Sequence, residues 1–172
     1  MKMAILISYL FFQMSIYSFD VTDVTGEVTH FRAFAGKKIL IVNIATGSSR
    51  IPQLAQLEKL QEKYKDSLVV IAYPSTAYGH ETRSDQEIKK FCEDNYHVTF
   101  LLAQKGFTTG FYIQPVFKWL ANSSENGLMD APVIGDFTKF LIDNDGKLIG
   151  VFAPSVDPMN EEIQSSIVSI NH

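Results

Sequence analysis

From Tyr17 to Phe31 the chain reads YSFDVTDVTGEVTHF, with apolar and polar positions alternating on both sides of Thr25-Gly26. That pattern predicts a β-hairpin. Next comes KKILIVNIA, nearly unbroken in its apolar character and of strand length, which predicts a strand buried on both faces. Leu54, Leu57, Leu60 and Tyr64 then recur at helical spacing, so a helix is expected over Pro52–Asp66 with Pro52 in its first turn. SLVVIAYP reads as a second buried strand, ended by Pro74. Strand, helix and strand in so short a length form a right-handed βαβ unit, which makes the two strands parallel.

Beyond a polar loop, STAYGHETRS, the segment Asp85–Tyr96 places Ile88, Phe91 and Cys92 on one helical face, with Ser84 (or Asp85) and Glu87 suited to cap its start. VTFLLA is expected as a short strand and QPVFKWLAN as a helix opened by proline. DFTKFLIDNDGKLIGVFA alternates around Asn144-Asp145-Gly146 as a second hairpin, and DPMNEEIQSSIVSI closes the chain as an amphipathic helix. No internal repeat or low-complexity linker interrupts the pattern. The order describes a single α/β domain over residues 18–172, a mixed central sheet flanked by helices with an N-terminal β-hairpin, and it resembles a thioredoxin fold. Residues 1–17 read differently. Lys2 precedes MAILISYLFF, an apolar run too short to span a bilayer and suited to a signal-peptide core, with a cut expected after Ser18. Export to the periplasm or the exterior is the favoured expectation. The competing ones are an N-terminal extension, such as an added strand, or a misplaced start in a cytoplasmic protein.

Composition narrows the chemistry. At 172 residues, 46% hydrophobic and 20% charged, the chain has the length and apolar content of one globular core. Its net charge is −4 and its basic residues are scattered, which gives no footprint for nucleic acid or for an anionic membrane surface. Cys92 is the only cysteine, so an internal disulfide and any Cys-x-x-Cys redox or zinc motif are excluded. His30, His80, His97 and His172 have no metal-ligand spacing, and no metal or other cofactor is expected.

The segment with most chemical promise is IVNIATGSSRIPQ, residues 41–53. A buried strand breaks into small polar residues and then opens a helix, the usual seat of a reactive nucleophile. LIVNIATGSSRIPQLAQLEKLQEKYKD resembles the L-I-V-N-V-A-S-x-C-G-x-T-P-Q segment of the glutathione peroxidases and the helix that follows it. AYPSTAYGHE resembles their F-P-x-N-Q-F-G-x-Q-E. EIKKFCEDNYHVTF and DFTKFLIDNDGKLIGVFAP resemble two further family segments, the second of them W-N-F-x-K-F-L-I-D-x-D-G-K. The resemblance runs in order from about Ser15 to the C-terminus. It implies a thioredoxin-like fold and a thiol- or selenol-dependent reduction of hydroperoxides.

The same resemblance sets the family's nucleophilic Cys or Sec at Ser48, its glutamine at Ala77, its tryptophan at Gly135 and its asparagine at Asp136. Reducing a hydroperoxide needs an atom that attacks the O–O bond and gives up two electrons. A thiolate does so and becomes a sulfenic acid, whereas a serine hydroxyl has no such oxidation ladder. Ala77 and Gly135 carry no side-chain donor, and Asp136 adds a negative charge that disfavours a neighbouring thiolate. The resolving cysteine of some members would fall at Glu93, beside Cys92, which reads as a buried hydrophobe. The expectation is therefore a family member silent as a hydroperoxide reductase, acting as a binding or structural protein with a ligand or protein partner that the sequence does not name. Two alternatives stand beside it: a weak or altered thiol peroxidase of the oxidative stress response, and a hydrolase using Ser48, His80 and Asp136, although TGSSR is not a G-x-S-x-G elbow. Ser49 and Arg50, at the helix mouth, are the candidate anion contacts.

Overall fold

A computed structural model describes residues 14–169. The first thirteen residues of the expected signal segment lie outside the described residues. Met14 to Tyr17 lie within them and pack on the domain: Trp119 Nε1 donates to Met14 O (3.0 Å), Ile16 is fully buried, and its N–H donates to Gly146 O (3.0 Å). No helix among the described residues is long and apolar enough to cross a membrane.

The N-terminal hairpin forms where alternation placed it, with β1 (Asp20–Thr22) antiparallel to β2 (Val28–His30). Asp23 shapes its turn by accepting from the N–H groups of Thr25 and Glu27 (2.7 and 3.0 Å). The main sheet has five strands in the order β5-β4-β3-β6-β7. At its centre β3 (Lys38–Ile44) is buried at every residue and pairs in parallel with β4 (Leu68–Pro74) over its whole length. A parallel β5 (Leu101–Leu102) flanks β4, and on the other side β6 (Lys139–Ile142) and β7 (Leu148–Phe152) run antiparallel. The parallel βαβ unit and the mixed sheet are thus as the apolar runs required.

Both faces of the sheet are covered. Leu40, Val42 and Ile44 point into a core built with α1 (Gln53–Lys63), α2 (Asp85–Tyr96) and α5 (Glu161–Val168). Ile39 and Ile41 point the other way, into a second core with α3 (Pro115–Ala121), Ile16 and Phe31. Covering from both sides explains why β3 shows no polar alternation. α2 opens with the expected capping box between Ser84 and Glu87.

Several boundaries differ from the sequence reading. α1 stops at Lys63 rather than Asp66, because Tyr64 turns out of helical geometry and its carbonyl accepts from Ser67 and Leu68 (2.8 Å each). Only Leu101 and Leu102 of VTFLLA pair as strand. The last helix begins at Glu161, since the Asn160 side chain caps it by accepting from Glu162 N–H (2.8 Å). A one-turn helix α4 (Ser123–Asn126) and 3-10 turns at Ile16–Ser18 and Phe31–Phe34 carry too little periodicity to be read from the chain.

Two buried groups give measurable consequences. Cys92 on α2 is fully buried, and burial pushes its thiol up to about 12, with the Glu81 charge adding to the effect. A thiol reagent at pH 8 is expected to label Cys92 slowly in the native protein and rapidly in denaturant; equal rates would place the thiol at the surface. Lys139 on β6 is also fully buried, its Nζ donating to Phe137 O (2.8 Å), and burial brings its ammonium down to about 8. An unfolded lysine keeps its proton to about 10.4, so between these values the unfolded chain binds more protons and stability rises with pH. The penalty for the buried charge is fully present below pH 8 and relieved above it. Relative to Lys139→Met, the native chain should therefore gain about 1–3 kcal/mol between pH 7 and 10 in urea unfolding, and a flat difference would show an ordinary lysine.

Candidate functional site

The site begins where β3 leaves the sheet at Ala45 and the chain turns through Thr46, Gly47, Ser48 and Ser49 into α1. Ser48 N–H donates to Ala45 O (3.1 Å), and the Ser48 hydroxyl accepts from Arg50 N–H (3.3 Å). Ser48 is 5% exposed, while Ser49 and Arg50 are exposed beside it. Gly47 is required here: its N–H donates to His80 O (3.0 Å), and a Cβ would lie 2.5 Å from that oxygen. A serine held this way ends a turn as an acceptor at the helix mouth.

A buried carboxylate ties this turn to the next loop. Glu81 is 3% exposed and accepts from Thr46 N–H (2.7 Å), from the Thr46 hydroxyl (2.9 Å) and from Arg83 N–H (3.0 Å). Arg83 Nη1 donates to the same Thr46 hydroxyl (2.6 Å), and its guanidinium lies over the Phe91 ring, 4.4 Å from the centroid. Glu81 was not among the residues singled out from the sequence. The signal that could have found it is an acidic residue following a Gly-His turn, opposite a strand end with unpaired N–H groups.

The third wall is the turn before β6. Asn43, buried in β3, donates from Nδ2 to Gly135 O (3.1 Å) and accepts from Phe137 N–H at its own carbonyl (2.6 Å). Phe137 holds a φ of 70°, a left-handed conformation costly for a bulky side chain and kept only where its surroundings impose it. Its ring is fully buried, so packing supplies that constraint. The result is that Asp136, 3% exposed, faces the loop that carries His80. Asp136 Oδ2 and His80 Nδ1 lie 2.6 Å apart, while the His80 side chain is 55% exposed. Asp136 Oδ1 is buried with no hydrogen-bond partner among the described residues. On the same loop the Tyr78 hydroxyl donates to Val133 O (2.5 Å), and burial together with the Asp136 charge raises its phenol above the ordinary value.

The structure therefore joins two of the three residues considered for a hydrolase, His80 and Asp136. No hydrogen bond links the Ser48 hydroxyl to the His80 ring. Ala77, half-buried, offers only its backbone, with its N–H donating to the Ser75 hydroxyl (3.2 Å), and Gly135 offers no side chain. Arg50 makes no side-chain hydrogen bond or ion pair among the described residues, and its positive charge disfavours that of Lys139. No group of three or more His, Cys, Asp or Glu side chains able to hold a metal ion occurs among the described residues.

Comparison with known proteins gives this geometry a lineage. Residues 16–121 match the family model described as glutathione peroxidase. The chain is 36% identical over 155 residues to a glutathione peroxidase of Lactococcus lactis, covering 88% of this chain and 98% of that one. It is 37% identical over 145 residues to the glutathione peroxidase-like peroxiredoxin 1 of Saccharomyces cerevisiae, covering 83% and 87%. The crystal structure of Trgpx in its apo form superposes with a TM-score of 0.70 at 29% identity, over 90% of this chain and 94% of that one. A thioredoxin-family thiol:disulfide interchange protein from Chlorobium tepidum shares the fold, with a TM-score of 0.61 at 15% identity over 90% and 97%. The ordered motifs, the two-faced mixed sheet and near-full-length relatives agree, and the chain belongs to the glutathione peroxidase family.

Proposed function

We propose that this member of the glutathione peroxidase family is silent as a hydroperoxide reductase and acts as a binding or structural protein. The observation that carries the reading is Ser48, a hydroxyl at the strand-to-helix turn where peroxide chemistry calls for a thiolate or selenolate. Oxygen in a serine has no counterpart of the sulfenic acid through which the two electrons pass. The surroundings support the same reading. Ala77 and Gly135 supply no side-chain donor to a leaving oxygen, and the buried Asp136 carboxylate adds negative charge beside the turn. Cys92, the only thiol, lies fully buried on α2.

A second reading has one observation in its favour. His80 Nδ1 bound to a buried Asp136 reproduces the orienting half of a Ser–His–Asp hydrolase, leaving Nε2 available as a base. Against it stands the Ser48 hydroxyl, which accepts from Arg50 N–H and makes no bond to the imidazole. The weaker enzyme alternative, residual thiol-dependent peroxidase activity, would need a redox-active atom other than Ser48.

Purified protein is expected to consume no hydrogen peroxide or organic hydroperoxide with any thiol reductant. Turnover above a heat-treated control that survives blocking of Cys92 would overturn the proposal. Ser48→Cys puts a thiol at a helix mouth, where backbone N–H groups and the dipole favour the thiolate. Losing one preorganised donor lowers rates by ~10²–10³ where oxyanion charge develops, so this single change should restore only traces of activity. Adding Ala77→Gln, Gly135→Trp and Asp136→Asn should raise it much further and non-additively. Full turnover from Ser48→Cys alone would show that the other three positions do not matter.

A further inference from the structure

Six buried side-chain oxygens lack a hydrogen-bond partner among the described residues, and they fall into two groups. Asn43 Oδ1, Gln53 Oε1 and Asp136 Oδ1 belong to residues around the Gly135 turn beside Ser48: Asn43 bonds Gly135 O, and Gln53 bonds the carbonyl of Pro154, which packs on Gly135. The other three are Tyr73 OH, Thr76 Oγ1 and Gln114 Oε1. These belong to the end of β4 and to the connection after β5. Thr76 N–H donates to Gly106 O (3.3 Å), and the Gln114 amide rests on Gly106, where a Cβ would lie 1.8 Å from Nε2. The same physical mark that distinguishes the family site therefore recurs at a second place.

That place has a cavity. Between the N-terminal hairpin and α3 lies a space of about 380 Å³, within the size range of small-molecule sites. Phe19, Val21 and Val116 supply apolar wall, and Tyr73, Gln104 and Gln114 supply polar groups. None of the Ser48 site residues borders it. Tyr73 is 4% exposed, and burial holds its phenol protonated, well above the ordinary tyrosine value. A buried hydroxyl without a partner is destabilising, and native proteins retain few of them. Among the described residues the lining includes no lysine, arginine or histidine, and its one charged residue, Asp20, is paired with His30. An anion would find no counter-charge there.

We propose that this cavity is a second binding site, for a small, neutral, planar amide such as a carboxamide, lactam or nucleobase edge. Such a group presents an N–H to Gln114 Oε1 beside a carbonyl that accepts from Tyr73 OH, and its flat face packs on Phe19 and Val21. The Tyr73 and Gln114 side chains turn on entry to present these oxygens, which are buried in the unliganded protein.

Nicotinamide and its anionic counterpart nicotinate are the probes, titrated into the full chain and followed by ¹H–¹⁵N shifts and calorimetry. Nicotinamide is expected to shift residues 18–22, 73 and 104–116, with a dissociation constant in the millimolar range. Nicotinate should bind at least tenfold more weakly. Tyr73→Phe and Gln114→Leu should each weaken nicotinamide by about three- to tenfold, the worth of one hydrogen bond. Unliganded Tyr73→Phe should be as stable as the native chain or melt up to about 2–4 °C higher, because it removes an unpaired buried hydroxyl. No shift in these residues at about 10 mM nicotinamide, equal binding of nicotinate, or a lower melting temperature for Tyr73→Phe would each overturn the proposal.

Discussion

Everything in this domain hangs on β3. All seven of its residues are buried, its backbone is bonded to β4 on one side and β6 on the other, and its side chains anchor both cores. A strand in that position has no solvent-facing edge or face on which to place a polar residue, so its sequence is forced toward Ile, Leu and Val. Its polar side chains stand at or near its two ends, Lys38 at the start and Asn43 near the end, and Asn43 serves the site. Its amide reaches the Gly135 carbonyl and its main-chain carbonyl receives Phe137 N–H, so the central strand itself fixes the turn that carries Asp136.

From that frame the site follows by three ties. β3 delivers Ser48 to the mouth of α1, Glu81 clamps Thr46 to the neighbouring loop, and the strained Phe137 turn brings Asp136 up to His80. The Glu81 bonds involve a carboxylate deep in the protein, where charge-assisted hydrogen bonds are each worth about 1.5–3 kcal/mol. They hold the turn in place without depending on which atom occupies position 48. The turn that carries Ser48 is therefore fixed by contacts that the Ser48 side chain does not make.

The turn before β6 also carries a buried charge. Asp136 is buried there, and its carboxylate is partnered by the His80 imidazole across two loops. Pairing confines that charge, but it leaves Oδ1 buried and unpartnered among the described residues, and with Asn43 and Gln53 it makes this end of the sheet the first of two places where polar groups are left open. The second lies at the hairpin and α3. There the chain beyond β5 departs from regular structure, and only Leu101 and Leu102 pair with β4.

The element order was legible in the sequence because burial on both faces, or on one, writes itself into period. The unbroken run of β3, the Leu54–Leu57–Leu60 spacing of α1, the Ser84–Glu87 box and the Asp145-Gly146 turn each encode their structure locally. Family membership was legible for the same reason, since the motifs are contiguous. The ends of α1 and α5, the brevity of β5 and the one-turn α4 were not, because single capping bonds and neighbouring strands set them. Nor was Glu81 visible as a clamp, or Asp136 as the partner of His80. Those two residues are 56 positions apart, and no local pattern records a contact made by two loops folding toward each other. The sequence by itself determined the fold, the family and the absence of a thiol at position 48. The tertiary structure decided which polar groups meet and which stay unpartnered, since hydrogen-bond partnership depends on distances of a few ångströms between segments remote along the chain.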